Sequence, residues 1–297
     1  MREKAITFGG NKSLVGIYTR AAVDNPGLPG VILLNSGILH RIGASRLHVT
    51  IARMLAGLGF PVMRFDFSGI GDSEPRRDDL AFEESAPREV QDAMDRMEAI
   101  AGCQEFVIFG LCSGADVAFQ AAPMDRRITG LIQLDAVAYR TWKWYLNYYG
   151  PRALRLDVWI RFTARKLGGL FGSTSKKEKE ELDMETHALP TYVREFPPKE
   201  DFAKTLGVLA DRKVKQLYVF TDGMYMEYNY KEQFAETFAG IDFGDTLQVE
   251  HWPDADHIFR GPAPQKRLYA TITEWMCKNW PAAGQDPDDT VEQPRVA

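Results

Sequence analysis

The chain has 297 residues, 45% of them apolar and 26% charged, with a net charge of −5. That length can bury a large core and suits one α/β domain carrying an insertion, while the acidic balance argues against nucleic acid as a partner. Cys103, Cys112 and Cys277 are too few and too scattered for a disulfide framework, and none stands at metal-ligand spacing, so neither a metal nor another cofactor is expected. Met1–Phe8 carries Arg2, Glu3 and Lys4 but lacks the apolar stretch of a secretion signal, and no run of about 18 apolar residues suggests a membrane span. The expected setting is cytoplasmic and reducing, where a free thiol stays reactive.

Ala5–Phe8 and Leu14–Thr19 read as short strands joined by the turn Gly9-Gly10-Asn11-Lys12, an opening hairpin. After Asn25-Pro26-Gly27, the apolar run Gly30–Asn35 predicts a strand buried on both faces. Arg46–Leu58 sets Leu47, Ile51, Met54, Leu55 and Leu58 at helical spacing and stops at Gly59. Pro61–Asp66 predicts a second buried strand, followed by the glycine-bearing loop Ser68–Ser73. Glu89–Ile100 returns to helix through Val90, Ala93, Met94 and Met97. A β-prone stretch from Glu105 leads into the turn at Cys112, and Thr129–Asp135 is a further strand. Strands alternating with helices of this length imply parallel pairing through right-handed crossovers.

From 139 to 207 the rhythm stops. This region is rich in aromatic and basic residues and includes the charged run Lys176–Glu181, and it reads as a helical lid insertion. Within it, Arg152–Leu167 places Leu154, Val158 and Phe162 on one face, suited to dock over a pocket. Lys215–Phe220 and Thr246–Glu250 resume the sheet around a helix at Tyr230–Phe238. The last helix, Gln265–Trp280, carries the stripe Leu268, Ile272, Met276. The expected division is a core of 1–138 and 208–280, a lid of 139–207 and a disordered tail of 281–297.

Gly110-Leu111-Cys112-Ser113-Gly114 joins a strand to a helix in the layout of a nucleophile elbow, a sharp turn that lifts one side chain above the sheet. The two glycines remove side chains where strand and helix converge. A thiol nucleophile needs a base, and the base needs an orienting carboxylate. Of His40, His48, His187, His251 and His257, it is His257 that follows the last strand and precedes the final helix, as the order nucleophile, acid, histidine requires. The acid is expected in the loop after Lys215–Phe220. Glu227 is preferred for its reach, with Asp222 as one alternative and Asp135, ending the preceding strand, as the other. The N–H groups of Ser113 and Ile38 are the expected oxyanion donors, and the helix N-terminus favours a thiolate. Asp116 in the same first turn supports the helix but opposes that thiolate. His40 and Arg41 are candidates for holding a substrate carboxylate or phosphate. Gly69-Ile70-Gly71 lacks the third glycine and the helix that a dinucleotide loop needs.

Phe65–Ser73, the Gly-x-Cys-x-Gly turn and Asp256-His257 with Phe259, in that order, resemble the α/β-hydrolase fold over nearly all of the chain outside the lid and tail. More narrowly, Gly110–Ala115 and the stretch from Tyr148-Tyr149 through Trp159 are similar to bacterial hydrolases found with exosortase and exopolysaccharide systems. The resemblance implies a mostly parallel central sheet flanked by helices with a helical lid, and a triad of Cys112, an acid and His257. Two departures stand out. Asn35-Ser36-Gly37 replaces the usual His-Gly, and the acid loop has no carboxylate at the usual offset from its strand. The expected function is acyl transfer by a Cys-His-acid triad, thioesterase- or esterase-like, on an activated small-molecule acyl group, free or carried by a carrier protein or coenzyme A. The alternatives are a hydrolase-fold binding protein without turnover, and a lyase or C–C hydrolase on the same scaffold.

Overall fold

Runs of consecutively buried residues decide the sheet. The computed structural model describes residues 2–23, 25, 27–153, 194 and 196–281. Its strands are β1 (Glu3–Phe8), β2 (Leu14–Thr19), β3 (Gly30–Leu33), β4 (Val62–Asp66), β5 (Phe106–Leu111), β6 (Ile128–Leu134), β7 (Lys215–Thr221) and β8 (Leu247–Trp252). Among the described residues they form one eight-stranded sheet in the order β1-β2-β4-β3-β5-β6-β7-β8. β1 pairs with β2, and β2 with β4, in antiparallel register; the remaining pairs are parallel. Every residue of β3, β4 and β5 is buried, as expected of parallel strands covered on both faces.

The cover follows from the helical stripes. On one face, α1 (Leu47–Gly57) and α7 (Pro262–Asn279) bring Ile51, Leu55, Leu268 and Ile272 onto Val31, Phe109 and Leu217. On the other, α2 (Phe82–Ala101), α3 (Ser113–Ala121) and α5 (Lys199–Asp211) bring Val90, Met94, Ala118 and Leu206 onto Ile32, Ile108 and Leu131. α4 (Trp142–Ala153) and the short α6 (Gln233–Thr237) lie between these elements in the chain.

Among the boundaries that differ from the sequence expectation, three have a local physical cause. α2 begins at Phe82 rather than Glu89: Glu83 and Glu84 in its first turn complement the helix dipole, and Pro87 is accommodated close to the start. β3 ends at Leu33, because Asn35 spends its side chain on neighbouring loops: Oδ1 accepts from the Phe67 amide at 2.9 Å and Nδ2 donates to the Leu39 carbonyl at 2.7 Å. α5 straddles the expected 207/208 boundary, with Phe202, Leu206 and Leu209 all buried in the core. Positions 154–167 of the expected lid helix, the run Lys176–Glu181, His187 and the tail after Pro281 lie outside the described residues. Among the described residues, no helix is long and apolar enough to cross a membrane.

Candidate active site

Cys112 stands at the carboxyl end of β5 with φ 56° and ψ −121°, a conformation that side chains other than glycine seldom adopt. Its surroundings hold it there. The Cys112 amide donates to the Leu134 carbonyl at 2.9 Å, and its carbonyl accepts from the Ala115 and Asp116 amides at 2.9 and 3.2 Å. A Cβ at Gly110 would lie 2.3 Å from the Gly114 carbonyl, and one at Gly114 would lie 2.4 Å from the Asn35 oxygen. Glycine is therefore required at 110, where β5 meets α3, and at 114, where α3 meets the segment after β3.

Asp135 follows β6, the neighbour of β5, and is fully buried at φ 47°. Its carboxylate is saturated by design of the local chain. Oδ1 accepts from the Thr221 amide at 2.7 Å, and Oδ2 accepts from the Thr221 hydroxyl at 2.7 Å. Oδ2 also meets His257 Nδ1 at 2.6 Å. With a carboxylate as partner, Nδ1 carries the proton in this bond. The loop after β7 yields room for the ring at Gly223, where a Cβ would sit 2.6 Å from that of His257. His257 also acts on the Cys112 thiol, and each favours the charged form of the other, so the imidazole stands between acid and thiol.

The electrostatics favour a charged pair. Burial alone would push the Cys112 thiol up. The bond to His257, the charges of Arg194 and His257 and the Ser113 amide together outweigh it, leaving the thiol below its ordinary value. His257 is raised to about 10, first by the Asp135 bond and next by the Cys112 bond, against the opposing effect of burial. Both shifts stabilise thiolate and imidazolium together.

The other sequence candidates lie elsewhere. Glu227 does not reach His257: its Oε1 accepts from Arg140 Nη2 at 2.6 Å, and Arg140 also donates to the Met226 carbonyl at 2.8 Å. Asp222 is exposed and opens the 3-10 turn Asp222–Met224, with its amide donating to the Ala255 carbonyl at 2.9 Å. Among the described residues, Asp135 is thus the carboxylate bonded to His257: β6 lies beside β5, while Glu227 is held by Arg140 and Asp222 faces solvent.

Ser113 is buried, and its hydroxyl accepts from the Gly37 amide at 2.7 Å, tying the Ser36–Leu39 loop to the elbow. Ile38, in that loop, has an exposed side chain. Arg41 is a clamp within the fold: its amide donates to Asp66 Oδ1 at 2.6 Å and its guanidinium pairs with Asp66 and Asp72. Its charge is therefore already matched, while His40 beside it is exposed. His48 is buried edge-on against Phe109 and is lowered to about 4 by burial and then by Arg64, so it stays neutral. His251 lies on β8 against Tyr228 and is lowered by burial. Burial raises Cys103 to about 11 and also raises Cys277, as befits packing thiols. Among the described residues, no group of three or more His, Cys, Asp or Glu is placed to hold a metal ion.

Two site residues escape a reading of the sequence. Thr221, which fixes Asp135, ends β7 as an ordinary β-branched residue and gives no signal beyond its place. Arg194 sits 78 positions from the carboxylate it binds, Asp116, and nothing in the local sequence marks it.

No family model and no curated protein matches the chain. Solved structures do. A lid-less α/β serine hydrolase from Xanthomonas campestris is similar with a TM-score of 0.55 at 15% identity, covering 95% of this chain and 96% of its own. Alpha/beta hydrolase domain-containing protein 10 from mouse gives 0.53 at 16% identity, covering 93% and 99%. A malate-bound thermophilic esterase from Thermogutta terrifontis gives 0.52 at 20% identity, covering 94% and 100%. At such identities the likeness is one of architecture, and the architecture is the α/β-hydrolase fold.

Proposed function

We propose that the protein is an acyl-transfer enzyme in which Cys112 is the nucleophile, His257 the base and Asp135 the orienting acid. The observation that carries this reading is the bond of 2.6 Å between His257 Nδ1 and the buried Asp135 Oδ2, on an imidazole that also acts on the Cys112 thiol. The fold supports it, since neighbours of this architecture include an esterase and a serine hydrolase.

Attack by the Cys112 thiolate forms a sulfur–carbon bond at the substrate carbonyl and moves an electron pair onto its oxygen. The Ser113 amide, which helps to lower the thiol below its ordinary value, and the Ile38 amide are the donors for that oxyanion. Collapse expels the leaving group, which takes a proton from His257, and leaves an acyl-cysteine. Water or a second acceptor then gives its proton to His257 and attacks the thioester, releasing the acyl group and regenerating the thiolate. A thiolate leaves as readily as it attacks, so an unactivated amide would return to substrate. Thioesters, lactones and activated esters are the proposed substrate class, carried by coenzyme A, by a carrier protein or by neither. A reducing compartment keeps the nucleophile free, which fits a cytoplasmic site of action.

Mass spectrometry after mixing with a short acyl thioester tests the reading. The expected result is an acyl adduct on the Cys112 peptide that accumulates in His257→Ala, with turnover lost in Cys112→Ala. Turnover retained by Cys112→Ala would overturn it.

A further inference from the structure

Asp116 poses a problem that Arg194 resolves. Asp116 lies in the first turn of α3, one turn beyond Cys112, and its amide bonds the Cys112 carbonyl. A bare carboxylate there would oppose a thiolate on the same turn. Arg194 meets it as a bidentate fork, with Nε and Nη2 each donating to one carboxylate oxygen at 2.7 Å. The third nitrogen, Nη1, donates to the backbone carbonyl of Asp135 at 2.9 Å. The pair is largely out of water, with side chains 14% and 12% exposed, so it is weakly screened. One guanidinium therefore ties the nucleophile helix to the turn that presents the acid, and neutralises the carboxylate in the first turn of that helix.

We propose that Arg194 is a positioning residue for this site, one that neutralises Asp116 and locks the Asp135 turn against α3 so that Cys112 can act as a thiolate. The inference rests on the reading of Cys112 as the nucleophile. The direct charge of Arg194 on the thiol acts in the same direction. Arginine suits the task better than lysine, because the fork grips both carboxylate oxygens and still reaches the Asp135 carbonyl.

The test is the pH dependence of iodoacetamide alkylation at Cys112, followed on its own peptide by mass spectrometry, with circular dichroism confirming the fold. The wild-type midpoint is expected well below that of a free thiol. In Arg194→Gln the midpoint should rise by about one unit, slowing alkylation about tenfold at pH 6. Arg194→Lys should recover part of the loss. In Arg194→Gln with Asp116→Asn the midpoint should return toward wild type, because the unmatched carboxylate has gone. A purely structural role for Arg194 would predict no such rescue. An unchanged midpoint in Arg194→Gln, or a double variant as impaired as the single one, overturns the inference while leaving Cys112 as nucleophile. A wild-type midpoint at the free-thiol value overturns the nucleophile reading and this inference with it. Should Arg194→Gln not fold, Asp116→Asn alone decides: its midpoint should fall below wild type, and a midpoint at or above wild type overturns the proposal.

Discussion

Asp135 makes three hydrogen bonds with two oxygens, and the arrangement leaves little choice about what else could stand there. Asparagine could still accept from Thr221 through its oxygen, but its amide nitrogen would then face His257 and favour the wrong tautomer of the imidazole. Asp135→Asn should therefore keep the fold and lose on the order of 10²–10⁴-fold in kcat/KM toward an activated ester or thioester. Glu227→Gln, which removes only a partner of Arg140, should stay within about twofold by the same assay, since a partly exposed ion pair contributes little. Equal losses in the two variants would count against Asp135 as the acid. The carboxylate partner of His257 was not legible from local sequence. An aspartate closing a strand and acidic residues in the following loop look alike along the chain. What separates Asp135 from Glu227 is that β6 lies next to β5 in the sheet, and adjacency in a sheet is a long-range fact.

At the scale of elements, the strands were readable because parallel strands buried on both faces carry unbroken apolar runs, as β3 and β5 do. The elbow was readable because close approach of strand and helix leaves a glycine signature, and the distances at Gly110 and Gly114 show why. α5 was the harder element. Its stripe of Phe202, Leu206 and Leu209 follows a region dense in aromatic and basic residues, so the return of helical periodicity was hidden by its surroundings. Phe202 stacks on Phe119 of α3 with ring centroids 4.1 Å apart, which makes α5 part of the support behind the helix that follows Cys112. Phe202→Ala should cost about 3 kcal/mol or more of stability in urea unfolding, whereas Val208→Ala on the exposed side should cost less than about 0.5 kcal/mol. Similar small costs for both would mean that α5 merely rests on the core.

For the whole molecule, the three groups of the site come from the ends of β5 and β6 and from beyond β8, with β7 lying between β6 and β8 in the sheet. The bond that completes the arrangement joins residues 122 positions apart. Contacts of such sequence separation form late, after the entropy of closing the intervening loop has been overcome. A chain that has formed β1 to β6 already contains Cys112 and Asp135, yet it has no imidazole to share a proton with the thiol. The sulfur in such an intermediate is an ordinary thiol, mostly protonated at neutral pH. Pulses of iodoacetamide at pH 6 during refolding should accordingly label Cys112 only after the amides of β7 and β8 become protected from hydrogen exchange. Early labelling would show that the thiol is activated before the sheet is closed. Under the proposed mechanism, activation of Cys112 thus depends on the segment beyond β8, which supplies His257.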